Sequence, residues 1–183
     1  MIKIIKVTNL SSFAASITPK LPQKNKKTAQ SIIENIKKNG DKALFQYEKK
    51  FGGANLSSFQ VTSSEIKSAY SLVSQSEITS IRQAKSRLSK TESVLKSLLK
   101  NKKIKSDGVS ISKKFIPIPS VGCYVPGGLA KYPSSAVMSI IPAKIAGVKR
   151  IVVVSPPDKT GHIHPLTIVA ADICGADEIY KTG

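Results

Sequence analysis

Two short apolar runs, separated by a segment with helical spacing, dominate the centre of the chain. Val121–Val125 is long enough for a strand and ends at Pro126-Gly127-Gly128, which breaks regular structure. Ile151–Val154 consists entirely of β-branched residues, a composition typical of a strand buried on both faces. We therefore predict two parallel strands joined by a helix, the βαβ unit of α/β proteins.

The helix between these strands has its own start and stop signals. Ser134 or Ser135 can cap its first turn, and Gly147 follows its last apolar positions. Pro142 lies inside the segment, so we expect a kink or a second helix start there. Ligands bind parallel sheets at the carboxyl ends of the strands, beside helix N-termini that attract anions. The loop that begins at Tyr124 and ends at Ser135 is therefore the candidate site.

Each notable residue in this loop has a functional and an ordinary interpretation. Tyr124 can pack against a flat cofactor ring, or it can merely border the core. Gly127 and Gly128 can adopt positive φ or admit a ligand close to the backbone, or they can form an ordinary tight turn. Ser134 and Ser135 can bind a phosphate, although helix capping is the commoner role. The loop lacks the G-x-G-x-x-G sequence, so its glycines alone do not identify a nucleotide site.

The same alternation continues towards the C-terminus. Ser155-Pro156-Pro157 predicts a rigid loop at the carboxyl end of the second strand, and Pro165 starts a helix over Leu166–Ile173. Glu178–Tyr180 predicts a third strand. The chain ends at Gly183 in the middle of an α/β unit, so we expect an incomplete parallel sheet whose last strand has an unpaired edge.

Helical patterns fill much of the N-terminal half. We predict helices from Thr28 to Asn39 and from Asp41 to Gly52, the second with Phe51 facing inward. The sequence Thr-Ser-Ser-Glu at 62–65 is a capping box.

Two further elements of this half are less sharply defined. The capping box opens either one long helix or two in line, continuing to Leu99. We interpret residues 101–108 as a polar turn, and the apolar positions at 109–111 and 115–118 as the strands of a hairpin.

Composition narrows the classes of function. Twenty-nine basic against 11 acidic residues give a net charge of +18, which indicates either a polyanion partner or a solvated, lysine-rich surface. The lysines are dispersed and few aromatics lie among them, so we do not expect nucleic acid as the main partner. No apolar run approaches the ~20 residues that span a bilayer, and the first residues lack the features of a signal peptide. With only two cysteines, the composition fits a reducing cytoplasm.

Candidate metal ligands and nucleophiles are few. His162 and His164 form an H-x-H pair, but one metal ion needs three or four ligands, so we expect an ordinary solvent loop. Cys123 and Cys174 are interpreted as small buried hydrophobic residues before they are interpreted as nucleophiles. The residues therefore predict no catalytic side chain and no metal ligand in this chain.

Longer motifs resemble a known family. Residues 121–157, VGCYVPGGLAKYPSSAVMSIIPAKIAGVKRIVVVSPP, are similar to the N-terminal part of histidinol dehydrogenases. NGDKALFQYEKKFGG at 39–53 and GADEIYKTG at 175–183 extend the resemblance, which covers about residues 32–183. The combination of Y-V-P-G-G with Y-P-S-S and the downstream S-P-P at this spacing is specific.

The resemblance implies both an activity and a fold. Histidinol dehydrogenases oxidise L-histidinol to L-histidine through the aldehyde, in histidine biosynthesis, with two hydride transfers to NAD and one bound zinc. They are intertwined homodimers with incomplete Rossmann-like domains. We expect this α/β chain to consist of an N-terminal arm (1–27), a helical region with strands (28–117) and the first half of a parallel sheet (118–183). The resemblance implies that this sheet is an incomplete Rossmann-like one on the NAD side.

The resemblance also implies site residues. Tyr124 occupies the position of the tyrosine that touches NAD in the family, and further cofactor neighbours are expected among Pro126, Gly127, Gly128 and Pro156. The zinc ligands and the catalytic histidine and glutamate of the family correspond to positions beyond Gly183. The resemblance therefore implies that this chain alone is inactive. Two alternatives stay open: a stand-alone binding or oligomerisation module, and a basic polyanion-binding protein.

Overall fold

The computed structural model describes residues 6–18, 23–127 and 131–183. The chain divides into two compact units at the bond between Leu44 and Phe45. Helix α1 (Leu10–Ile17) and the larger part of α2 (Gln23–Tyr47) belong to the first unit. The second unit contains every strand of the described residues and all of the candidate site.

Helix α2 contains the predicted break but begins earlier than predicted. It starts at Gln23 rather than Thr28, and Gly40 interrupts it with φ 56° and ψ −142°. A single π-helical turn, Glu48–Gly52, follows the helix. The prediction that Phe51 faces inward is wrong, because this side chain is 64% exposed. The π-helical turn adds a residue per turn and so moves Phe51 off the face that the 3.6-residue period assigns to it.

The segment that follows the predicted capping box forms two helices rather than one long helix. Helix α3 (Ser63–Ser71) begins after Thr62, and α4 (Gln75–Leu98) begins after Ser74. Both caps are complete, since each hydroxyl accepts from the backbone N–H of a glutamate three residues later, and the glutamate accepts from the cap's own N–H. The second cap restarts the helix where the apolar pattern appears continuous.

Three parallel strands form the sheet, in the order β3-β4-β5. They are β3 (Ser120–Tyr124), β4 (Arg150–Ser155) and β5 (Glu178–Lys181), and the crossovers contain α5 (Pro133–Ala146) and α6 (Pro165–Cys174). Both predicted βαβ connections and the α/β class are therefore confirmed. Strand β4 is buried on one face, at Ile151 and Val153, but only half-buried on the other, so its predicted two-sided burial is half right.

The start of α5 differs from the prediction. The helix begins at Pro133, and Ser134 and Ser135 lie inside its first turn instead of capping it. Proline favours the first helical position because its fixed φ suits the helix and its missing N–H would have no partner there. No interruption occurs at Pro142, and the helix ends as predicted at Gly147, whose φ is 94°.

The outer edge of β5 is paired, contrary to the expectation from sequence. Residues 59–61 run antiparallel to it, with Val61 N–H donating to the Ile179 carbonyl at 2.9 Å. Lys181 N–H donates to the Phe59 carbonyl at 2.7 Å. Residues 59–61, from much earlier in the chain, thus satisfy backbone groups of β5 that we expected to be unpaired.

The predicted hairpin exists but uses different residues. Strands β1 (Lys102–Ser106) and β2 (Val109–Lys113) pair antiparallel around Asp107-Gly108, whose φ angles are 50° and 82°. Two positive φ values are the geometry of a two-residue hairpin turn, which Asp-Gly favours. The polar stretch predicted as a turn is therefore largely a strand, and every residue of both strands is exposed. In the described ranges, no helix is both long and apolar enough to cross a membrane.

We predict that the cap of α4 contributes measurably to stability. Ser74→Ala removes the hydroxyl that accepts from Glu77 N–H at 3.3 Å, and it should lower the free energy of unfolding by about 1 kcal/mol. Ser86→Ala is the matched control, since Ser86 is exposed within the same helix, and it should change that energy by less than about 0.5 kcal/mol. Urea unfolding of both variants checks this, and equal effects would contradict it.

Candidate ligand site at the strand ends

A cavity of about 560 Å³ lies at the carboxyl ends of β3 and β4. Pro126 and Gly127 form the wall that follows β3, and the segment from Ser155 to Asp158 forms the wall that follows β4. One face of α3 and the first turn of α6 complete it. The volume lies within the range of small-molecule sites, and the position is the one that parallel α/β sheets use for ligands.

Gly127 lies very close to Pro156, the residue that follows β4. A Cβ added there would lie 2.7 Å from Pro156 Cγ and 2.8 Å from the Pro156 carbonyl oxygen. Gly127 is not among the glycines with positive φ. The absence of a side chain at this position is therefore required by the proline of the next strand end, and this contact shapes the cavity wall.

The structure separates Tyr124 from the other predicted cofactor neighbours. Pro126, Gly127 and Pro156 all line the cavity, whereas Tyr124 is not among the lining residues. As the last residue of β3, Tyr124 projects from the sheet face opposite Cys123, and its side chain is 55% exposed. Gly128, the remaining predicted neighbour, lies outside the described residues.

Hydroxyl and charged groups are distributed around a largely apolar wall. Ser155 and Thr167 are 1% and 3% exposed, and both line the cavity. Lys131 supplies a cation at the mouth. An apolar cavity with a few polar groups of this kind suits an organic ligand that carries hydroxyl and anionic groups.

Two carboxylates at the cavity already have partners within the chain. Burial raises the pKa of Glu65, but hydrogen bonds from Lys181 and Thr62 outweigh this effect and hold that pKa below its ordinary value. Asp158 accepts hydrogen bonds from the Thr160 hydroxyl at 2.6 Å and from His162 N–H at 3.1 Å, which lower its pKa. Both carboxylates are therefore ionised near neutral pH. Glu65 helps to fix the start of α3, and Asp158 helps to fix the loop that bears it.

His164 caps helix α6. Its Nδ1 accepts from Leu166 N–H at 3.2 Å, and its carbonyl accepts from Thr167 N–H at 2.9 Å. Burial, followed by the nearby Lys131 charge, lowers the pKa of His164. Because the first N–H groups of α6 have partners within the chain, this helix start does not present them to an anion.

The H-x-H loop is only partly the solvent loop predicted from the sequence. His162 and His164 are both exposed, yet both border the cavity. Within the described part of the chain, no group of three or more histidine, cysteine, aspartate or glutamate side chains could hold a metal ion. The two cysteines are free and buried as predicted, and burial raises the pKa of the Cys174 thiol to about 11.

Several cavity residues were not predicted from the sequence. They are Glu65 and Ser68 of α3, Asp158 of the loop after β4 and Thr167 in the first turn of α6. Lys131, by contrast, lies within the predicted loop that ends at Ser135. Asp158 carried a usable signal, since it lies just beyond the carboxyl end of a predicted strand. The contribution of α3 had none, because nothing in its sequence shows which element it packs against.

Fold and cavity together define a parallel α/β protein with a small-molecule cavity at the ends of its strands. A sequence profile of histidinol dehydrogenases matches residues 18–183. The chain belongs to the histidinol dehydrogenase family, which confirms the resemblance noted in its motifs.

Individual relatives agree with this assignment. The histidinol dehydrogenase of Clostridium acetobutylicum is 44% identical over 159 residues, which cover 86% of this chain and 36% of that protein. The histidinol dehydrogenase of Gloeobacter violaceus is 37% identical over 180 residues, covering 96% of this chain and 40% of that protein.

A solved structure shows the same fold. The crystal structure of histidinol dehydrogenase from Elizabethkingia anophelis matches with a TM-score of 0.82 and 34% identity, covering 96% of this chain and 41% of that one. The chain therefore spans well under half the length of the relatives that it matches.

We predict that Gly127 tolerates no side chain. Gly127→Ala should lower the free energy of unfolding by about 1–3 kcal/mol, because the new methyl group overlaps Pro156. Gly122→Ala in strand β3 is the matched control, since a Cβ there meets nothing within 4 Å. Thermal unfolding distinguishes the two, and a Gly127→Ala protein as stable as the Gly122→Ala protein would refute the overlap.

We also predict that His164 makes stability depend on pH. Its folded-state pKa lies below the ordinary value of 6.5. As the pH falls below 6.5, His164 takes up a proton in the unfolded chain before it does so in the folded chain. The free energy of unfolding therefore decreases. His164→Asn keeps a capping acceptor but removes the titration. Urea unfolding between pH 7 and pH 5 should give a shallower decline for this variant, and identical slopes would exclude the effect.

Proposed function

We propose that this chain forms the NAD-side part of an enzyme that oxidises L-histidinol to L-histidine through the aldehyde. The observation that supports this best is the cavity at the carboxyl ends of β3 and β4, in a chain whose residues 18–183 match the histidinol dehydrogenase family. Parallel sheets bind dinucleotides at this position.

The residues of the cavity suit the chemistry of NAD. A dinucleotide carries flat rings, ribose hydroxyls and an anionic diphosphate. Pro126 and Pro156 present apolar surface to a ring, and the hydroxyls of Ser155 and Thr167 suit a ribose. Lys131 suits the diphosphate, and the net charge of +18 favours the approach of an anion. When bound, NAD supplies the hydride acceptor, while these residues bind it and orient its rings.

Tyr124 extends this proposal beyond the cavity. Its ring is more than half exposed, and only Val125 separates it in sequence from Pro126 on the cavity wall. An extended ligand that leaves the cavity past Pro126 can reach this ring. We assign Tyr124 the role of an aromatic contact for NAD, beside the part of the cavity wall that Pro126 and Gly127 form; Gly128 stays a predicted cofactor neighbour.

Zinc and the second subunit belong to the same proposal. The described residues include no group of three or more side chains that could bind a zinc ion. The substrate L-histidinol, the zinc and a homodimeric assembly are proposed for the complete enzyme on the strength of family membership.

The test is a calorimetric titration of the full protein with NAD. We expect saturable binding, and Tyr124→Ala should weaken it roughly fivefold because the variant loses a ring contact. Tyr124→Phe keeps the ring and is the matched control, which should bind close to the wild-type level.

Two results would contradict the proposal at different points. An absence of saturable NAD binding by the wild-type protein would remove the assigned function. Wild-type affinity in Tyr124→Ala would leave the function intact but exclude Tyr124 from the site.

A further inference from the structure

Glu48 is a buried carboxylate outside the cavity. It is the first residue of the π-helical turn Glu48–Gly52 and is 6% exposed. One carboxylate oxygen, Oε1, accepts both the Thr182 hydroxyl at 2.8 Å and the Gly183 N–H at 2.9 Å. Burial of a carboxylate costs free energy, and two donors directed at one oxygen offset that cost. Glu48 thus fixes the two residues that follow the end of β5.

Gly183 in turn packs against Pro156, which lines the cavity. A Cβ added to Gly183 would lie 2.8 Å from both Cγ and Cδ of Pro156, so the backbone of Gly183 lies directly against the proline ring. The same ring packs against Gly127, where an added Cβ would be 2.7 Å from Cγ. Since Pro156 and Gly127 line the cavity, the position of Gly183 limits where this wall can lie.

We propose that Glu48 is a positioning residue for the nucleotide site, acting through Gly183 and Pro156. The identity of the ligand rests on the proposed function. The carboxylate holds the end of β5, Gly183 supports the proline ring, and the ring keeps its place on the cavity wall. Glu48 itself touches no ligand, because it is not part of the cavity lining.

The local backbone supports this role. A Cβ added to Gly52 would lie 3.3 Å from the other carboxylate oxygen of Glu48, Oε2, so the turn leaves little spare room beside the carboxylate. Both hydrogen bonds to the strand end use Oε1 alone. An amide oxygen in the same place can accept the same two donors, which provides a conservative variant for the test.

The experiment compares Glu48→Ala with Glu48→Gln in the full protein. Hydrogen exchange at the Gly183 amide measures whether the hydrogen bond to Glu48 is intact. Calorimetric titration with NAD measures the affinity of the nucleotide site. Glu48→Ala should speed exchange at Gly183 and weaken NAD binding roughly tenfold. Glu48→Gln should restore slow exchange and most of the affinity. Thr182→Val, which loses one of the two donors, should fall between wild type and Glu48→Ala in both measurements.

Tyr70→Phe provides a control for general destabilisation. It removes the 2.6 Å hydrogen bond from the Tyr70 hydroxyl to Asp172, between α3 and α6, and neither residue lines the cavity. This variant should lose stability and retain NAD affinity. Glu48→Ala binding NAD as tightly as wild type, or weak binding in Glu48→Gln equal to that in Glu48→Ala, would overturn the inference. Wild-type protein that binds no NAD would instead refute the proposed function. In that case the exchange measurement still tests Glu48, because an unchanged rate at Gly183 in Glu48→Ala would show that Glu48 does not fix the end of β5.

Discussion

The contact of Pro156 with two glycines is the constraint on which the carboxyl end of the sheet depends. Parallel strands lie only about 4.8 Å apart, so the residues that leave them compete for the same space. Here the pyrrolidine ring that follows β4 fills this space between Gly127 and Gly183, and neither position has room for a Cβ. The two glycines are therefore needed for packing against Pro156, and the cavity lies beside this contact.

The opposite ends of the same strands are held by charged groups. Arg150 donates two hydrogen bonds to Glu178, at 2.6 and 2.9 Å, and this pairing lowers the pKa of Glu178 to about 2. Asp177 accepts from Ile151 N–H at 2.7 Å, which ties the start of β4 to the start of β5. The amino ends of β4 and β5 are thus joined by polar contacts, and the cavity lies at the carboxyl ends of β3 and β4.

Much of this fold could be predicted because its signals are local. The β-branched run at Ile151 and the helix stop at Gly147 need only a few neighbouring residues to be recognised. The failures occur where a local signal was overridden or masked. Pro133 displaced the serine caps, and a π-helical turn moved Phe51 to the surface. The first strand of the hairpin, Lys102–Ser106, has a single apolar residue, so its sequence shows no apolar alternation.

The candidate site was predictable only in the part that follows from strand order. The rule for parallel sheets directs attention to the loop that begins at Tyr124 and to Pro156, whereas only the resemblance to the family assigns Tyr124 a contact with NAD. No rule of spacing brings Glu48 to Thr182, because 134 residues separate them and only the folded chain creates that hydrogen bond. A glycine in a sequence shows that something comes close to the backbone, but not what it is. At Gly127 the structure shows that a proline approaches, so any role of this glycine in ligand binding depends on where that proline is held.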